Sequence, residues 1–300
     1  MRIGQLLSKI RDMGIGVDKR CSIAVNMSRD LKISYFQRNS EPLFVRILER
    51  KRGEREFVNL KFLKSCLGDH IVGPTKIETT DDLACVIFPF VAYKRFPDEK
   101  LIVRNLLPQV RDVLLLMHDA GNTFNPEGRS LSPMEALDGL NSEGLLTDTF
   151  KGYFEQGFQV IVGKRKAIPQ HCDFTFTNLG TAGDGTLIVF DWEDYGLVRY
   201  PAFDFATFLM SYHFHTGTID TIINSPEELT NMIESAFGDR FLETIGFTPV
   251  EFQYVFPGYL VVFFILKKTF GSGIYERFRG IWKQMTKSEK WTRIMTERSG

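Results

Sequence analysis

The chain has 300 residues, of which 43% are apolar and 25% charged, proportions ordinary for a soluble globular protein with room for one large domain or two lobes. Its 37 Lys and Arg side chains balance 37 Asp and Glu, which removes any global electrostatic case for a nucleic-acid partner. The 4 cysteines show no CxxC and no disulfide-like framework, which suits a reducing compartment.

The run Met1–Lys9 is too interrupted by charge to read as a signal peptide. The most apolar run, Val255–Leu266, holds about 12 residues and contains Pro257 and Gly258, so it is expected neither to span a bilayer nor to stay helical through the Pro-Gly pair. A cytoplasmic, soluble protein is expected. Phe occurs 27 times, so aromatic packing should dominate the core.

In chain order, Ile3, Leu6, Leu7 and Ile10 predict a short amphipathic helix over residues 2–13. Strands are predicted at Cys21–Val25, Leu31–Gln37 and Leu43–Leu48, the last two joined by the polar turn Arg38–Pro42. A helix follows from Gly53 to about Cys66, with Phe57, Leu60 and Leu63 on one face. Two more strands fit Ile71–Ile77 and Leu83–Phe90, joined by a turn at Thr79–Asp82.

From Phe88-Pro89-Phe90 the pattern changes. Leu101–His118 is strongly helical, Asp119–Pro133 is polar and rich in turn residues, and helical patterns run over Pro133–Gln159 and again from residue 196 to the end. The predicted architecture is α+β: a small antiparallel-sheet lobe over residues 1–92 and a mostly helical lobe over residues 93–300.

Chemistry concentrates in His171-Cys172-Asp173-Phe174-Thr175-Phe176-Thr177-Asn178 and in Asp191-Trp192-Glu193. This is the His-x-Asp-x-x-x-x-Asn frame of a kinase catalytic loop, followed by a second Asp beyond a short pair of strands. Phosphoryl transfer needs a positioned nucleophile and a divalent metal on the phosphate oxygens. Asp173 is the candidate base, and Asn178 and Asp191 offer the hard oxygen donors that Mg²⁺ takes. His171 is expected to hold the loop by hydrogen bonding rather than to react.

These stretches, with Pro201-Ala202-Phe203-Asp204-Phe205-Ala206, resemble the aminoglycoside phosphotransferase and choline/ethanolamine kinase superfamily over residues 168–209. The resemblance implies a bilobal protein-kinase-like fold that moves the γ-phosphate of ATP, with Mg²⁺, to a hydroxyl of a small molecule or sugar. It implies Asp173 as base, Asn178 and Asp191 as metal ligands, and Asp204 as a buried brace. It also places Arg46, Glu56, Phe88 and Phe90 in nucleotide binding, with the helix ending in His118 leading into the second lobe.

Three departures stand out. Arg46 occupies the strand position where the family carries Lys, Asn26–Asp30 replaces a Gly-rich turn without a glycine, and Cys172 replaces a Gly. A chain with Arg at that position is either a kinase with a rearranged phosphate grip or a catalytically impaired pseudokinase that binds nucleotide or a partner. Glu193 and Asp194 are expected to cap a helix or face solvent, or else to meet the acceptor. The basic segment 267–293 carries Phe278, Ile281, Trp282 and Met285 at helical spacing. It would pack that face on the lobe, or else contact an anionic membrane or glycan.

Overall fold

The strand pattern of the first lobe produces one four-stranded antiparallel sheet. In the computed structural model, which describes Ser8 and residues 31–35, 43–95, 100–128, 130–238, 240–268 and 272–297, β1 (Leu31–Tyr35) pairs with β2 (Leu43–Glu49), Ile33 opposite Val45. Apart from Ser8, the helix predicted over 2–13 lies outside the described residues, as do the strand at 21–25 and the turns at 26–30 and 38–42. β2 then pairs with β4 (Leu83–Pro89), which pairs with β3 (Lys76–Thr79), in the order β1-β2-β4-β3. β2 is buried on both faces through Val45, Arg46, Ile47 and Leu48, which places a cation inside a β-branched strand.

Helix α1 (Arg50–Leu67) starts three residues before the predicted Gly53. A mid-helix glycine ordinarily costs about 0.5–1 kcal/mol relative to Ala. Here it is required, because an added Cβ would lie 2.4 Å from the Ala84 Cβ on β4. The buried face is Gly53, Glu56, Asn59, Leu60, Leu63 and Leu67, so Glu56 faces inward where Phe57 was expected. The strand predicted at Ile71–Ile77 is shorter. Pro74 cannot donate to a ladder, regular pairing begins at Lys76, and Ile71 keeps only an isolated bridge to Val189.

A second, three-stranded sheet has the order β5 (Tyr93–Arg95), β6 (Leu179–Ala182), β7 (Leu187–Val189). The β6–β7 turn closes through Ala182 N to Thr186 O, with Gly185 at φ 88°, a value only glycine takes without strain. The chain divides into two compact units, Met1–Lys94 with Thr181–Glu193, and Arg95–Gly180 with Asp194–Gly300. The hairpin that ends in Asp191 thus groups with the first unit.

The second unit is helical: α2 (Lys100–Thr123), α3 (Pro133–Ser142), α4 (Asp148–Gly152), α5 (Gln159–Gly163), α6 (Phe203–Thr216), α7 (Ile219–Asn224), α8 (Pro226–Phe237), α9 (Phe241–Thr244), α10 (Pro249–Lys267), α11 (Ser272–Met285) and α12 (Glu289–Glu297). α2 runs past His118 to Thr123, so His118 is not a helix terminus. Capping boxes at Ser132/Glu135 and Thr248/Glu251 start α3 and α10. Phe150, Phe158, Phe174, Phe208 and Trp291 are fully buried, as the Phe count implied.

Pro257 and Gly258 do not break α10, and the reason is a hydroxyl from elsewhere in the chain. A mid-helix proline opens the i to i−4 ladder. Between α4 and α5 the chain makes a π-helical turn, Tyr153–Phe158. There the Tyr153 hydroxyl donates to Tyr254 O at 2.6 Å and accepts from Gly258 N at 3.2 Å, bridging the opened step. Burial pushes the Tyr153 phenol well above its ordinary pKa, so it stays protonated and donates. The close crossing needs two glycines: a Cβ on Gly157 would meet the Tyr254 Oη at 1.7 Å, and one on Gly258 the Phe158 ring at 2.2 Å. α10 is long and apolar enough to cross a membrane, with mean hydropathy 1.5, but it is mostly buried inside this unit.

Tyr153→Phe would leave the Gly258 N–H and the Tyr254 carbonyl facing an apolar ring. It should lower stability by about 1–3 kcal/mol. Urea denaturation measures this, and an unchanged midpoint would remove the hydroxyl from the account of α10.

Candidate active site

The loop carrying Asp173 is fixed first by its backbone. Ile168 N and Gln170 N donate to Arg199 O and Val198 O, each at 3.0 Å. The next two amides, His171 N and Cys172 N, donate to the two carboxylate oxygens of Asp204 at 2.5 and 2.9 Å. Asp204 sits in the first turn of α6, is 1% exposed, and donates its own amide to Gln170 Oε1 at 3.1 Å. Burial pushes its carboxyl up to about 7, against the two amides that pull it down.

Three non-glycine residues take positive φ among the described residues: Cys172 at 71°, Asp191 at 59° and Ala202 at 66°. All three lie in the segments singled out from the sequence, where stored backbone strain is concentrated. Cys172 stands where a glycine was expected. Its thiol donates to Gln170 O at 3.2 Å, while its sulfur accepts from Val198 N at 3.1 Å. Burial pushes the thiol pKa well up, so Cys172 is a packing residue and not a nucleophile.

Asp173 is turned by its neighbours. Its amide donates to His171 Nδ1 at 3.2 Å, giving His171 the holding role expected of it. Its carboxylate has two different sides. Oδ2 pairs with Lys267 Nζ at 2.6 Å, and Oδ1 receives only a long contact from Thr175 Oγ1 at 3.4 Å. Asn178 ends a 3₁₀ turn, and its Nδ2 donates to Asp173 O at 2.9 Å, so its side-chain oxygen is the atom left for a ligand. Beneath, Phe176 stacks on Phe208 with centroids 5.6 Å apart, and its amide donates to Ser211 Oγ at 3.0 Å.

In the first unit, Asp191 follows β7 in a turn closed by Trp192 Nε1 donating to Val189 O at 2.9 Å. Arg46 is 4% exposed and reaches two carboxylates: Nη1 to Glu56 Oε1 at 2.6 Å and Nη2 to Glu193 Oε2 at 2.9 Å. Arg52 lies 3.9 Å from the same Glu193 oxygen, so two cations face two carboxylates. Glu193 therefore neither caps a helix nor faces solvent. The planar fork of Arg46 holds one acid on each of its two terminal nitrogens.

Phe88 is a core residue, 6% exposed and packed on Phe44 with centroids 5.8 Å apart, whereas Phe90 is 40% exposed. His118 is half-buried, which lowers its pKa. Two participants escaped sequence reasoning. Glu193 and Lys267 lie far along the chain from Arg46 and Asp173, and no local spacing links them. The replacement of Lys by Arg at position 46 was the one signal for a second acid.

Two outcomes follow for the brace. Between the ordinary carboxyl value of 3.8 and about 7, the folded chain holds more protons at Asp204 than the unfolded chain. The contribution of this group to stability is therefore full below about pH 4 and falls as pH rises to about 7. Asp204→Asn should flatten that part of the stability curve and, by setting an NH₂ against an amide, cost about 1–3 kcal/mol. Cys172→Gly relieves about 1–2 kcal/mol of left-handed strain. It also adds about 0.5–1 kcal/mol of backbone entropy and strands the buried Val198 N–H at about 1–3 kcal/mol. The hydrogen bond outweighs the strain, so the melting temperature should fall. A rise would reverse that ranking.

Comparison with known proteins finds no matching family model and no matching curated protein sequence. Solved structures do match. Aminoglycoside 2'-phosphotransferase-IIIa in its GDP complex superposes with a TM-score of 0.61 at 11% identity, covering 94% of this chain and 97% of that one. Choline kinase LicA from Streptococcus pneumoniae gives 0.56 at 15% identity, covering 94% and 98%. An ethanolamine kinase from Plasmodium vivax gives 0.58 at 14% identity, covering 89% and 81%. The chain has the α+β, bilobal protein-kinase-like fold seen in the aminoglycoside phosphotransferase and choline kinase superfamily.

Proposed function

We propose that this protein is a phosphotransferase that moves the γ-phosphate of ATP to a hydroxyl of a small molecule or sugar in the cytoplasm. The observation that carries the reading is the braced loop. Asp204 fixes the amides of residues 171 and 172, and Asp173 presents a carboxylate oxygen with no short partner in the structure beside an Asn178 amide tied to its own carbonyl. Solved neighbours with this fold include kinases for an aminoglycoside, choline and ethanolamine, which supports a small-molecule acceptor.

In the proposed step the acceptor hydroxyl gives its proton to Asp173 as its oxygen bonds to the γ-phosphorus. The bond from that phosphorus to the bridging oxygen breaks, and ADP leaves with the electron pair. The donors for Mg²⁺ fit in kind: the Asn178 side-chain oxygen and the Asp191 carboxylate are hard oxygen ligands, and nucleotide phosphates supply others. When bound, Mg²⁺ would offset the charge of the phosphate oxygens. Arg46, oriented by Glu56, is assigned to the phosphates, and buried Phe88 and exposed Phe90 to the base. The segment 267–293 needs no membrane or glycan in this reading, since Lys267, Lys268 and Lys290 are ion-paired within the chain and Trp282 and Met285 are buried.

One observation favours a second reading, an impaired kinase that binds nucleotide or a partner without turnover. Both terminal nitrogens of Arg46 bond to carboxylates, so the phosphate grip competes with Glu193.

ATP with Mg²⁺ should raise the melting temperature by mass action, about 2.7 kcal/mol at a hundredfold excess over Kd. Asp191→Ala should abolish the metal-dependent part, and no shift with saturating nucleotide would sink the proposal. Asp173→Asn should lower kcat by about 10²–10⁴-fold with the nucleotide shift intact. Arg46→Lys separates the readings: a gain of about tenfold or more in nucleotide affinity would mean that the native grip is weakened by its acids.

A further inference from the structure

The cation at the base carries information about the acceptor. Lys267 closes α10, is 6% exposed, and places Nζ 2.6 Å from Asp173 Oδ2 and 5.4 Å from the Phe263 ring centroid. It is delivered by the helix whose Pro257 step is bridged by Tyr153, so its position is set by the core and not by a surface loop. The two oxygens of Asp173 are thereby given different tasks. Oδ2 holds an ammonium of this chain, and Oδ1, which meets Thr175 Oγ1 at a long 3.4 Å, is the oxygen suited to an acceptor hydroxyl.

An acceptor whose hydroxyl reaches Oδ1 brings its neighbouring atoms within a few ångströms of the Lys267 ammonium. A positive charge on that acceptor would be repelled there by the Lys267 ammonium. In this unit Asp204 is bound to two amides behind the loop, Asp194 is buried, and Glu143 pairs with Lys268 at 2.5 Å. Choline and ethanolamine, after which two solved neighbours are named, are cations at neutral pH.

We propose that Lys267, seated on Asp173, makes this a site for hydroxyl compounds that carry no positive charge next to the reacting oxygen, such as neutral polyols or acidic sugars. This rests on the phosphotransferase reading above and narrows its acceptor class. Discrimination comes from a repulsive element built beside the base, in addition to whatever attracts the acceptor. The Lys267 ammonium also remains where negative charge gathers as the phosphoryl group moves, so the same residue aids transfer.

The test uses two probes of the same shape and different charge, choline and its carbon isostere 3,3-dimethylbutan-1-ol. Each is titrated by ligand-observed NMR into the full chain with a non-hydrolysable ATP analogue and Mg²⁺, so no turnover is needed. The wild type should bind the neutral probe at least about tenfold more tightly than choline. Lys267→Met should abolish or invert that preference, whereas Lys267→Arg should keep it. A wild type that binds choline as well as the neutral probe, or neither probe up to its solubility limit, would overturn the inference. If Lys267→Met fails to fold, the wild-type ratio and the Lys267→Arg ratio still decide. The nucleotide-induced melting shift in the same samples keeps the two claims apart. Its absence counts against the phosphotransferase reading, and its presence with choline preferred counts against the acceptor class alone.

Discussion

A single buried carboxylate holds the loop that carries Asp173. Asp204 takes the two successive amides of His171 and Cys172, one on each oxygen, and so forces the backbone between them through a left-handed turn. That turn reverses the chain direction and sets Asp173 outward while His171 stays fully buried. The arrangement carries a steric cost at Cys172 and a desolvation cost at Asp204. It persists because both are repaid locally, by two charge-assisted hydrogen bonds and by the paired roles of the Cys172 sulfur.

The same economy governs the other buried charges. Isolated ions do not survive in a protein interior, and pairs persist where geometry and additional hydrogen bonds compensate for lost hydration. In the first unit Arg46 is offset by Glu56 and Glu193, and Arg52 lies near the second of these. In the second unit Lys267 is offset by Asp173 itself. The two solutions differ in consequence. Arg46 is flanked by two acids, which a phosphate bound as proposed would have to work against, whereas Lys267 lends a cation to the residue proposed as base.

Helix α10 links core packing to that chemistry. Its Pro-Gly pair would ordinarily end or kink a helix, and the Tyr153 hydroxyl, carried on a π-helical turn, bridges the adjacent step from Gly258 N to Tyr254 O. Because Gly157 and Gly258 allow the two segments to touch, α10 continues to Lys267. A polar atom placed deep in an aromatic core thus acts at a distance on where a charge sits at the loop.

Local patterns in the sequence determined a good part of this protein. The apolar run of β2 and the helical spacing of Leu60 and Leu63 in α1 are read from neighbours in the chain, because backbone hydrogen bonding has short periods. The frame from His171 to Asn178 and the Asp191 turn are also contiguous, so their residues could be named directly. The tertiary structure alone decided the rest. Glu193 became the second acid on Arg46, Lys267 came to rest on Asp173, and α10 ran through Pro257 because Tyr153 was in reach. Each of these pairs residues that are distant in the chain, and the energy that selects them is the cost of a buried charge or an unpaired backbone group. Neither exists until the chain has packed.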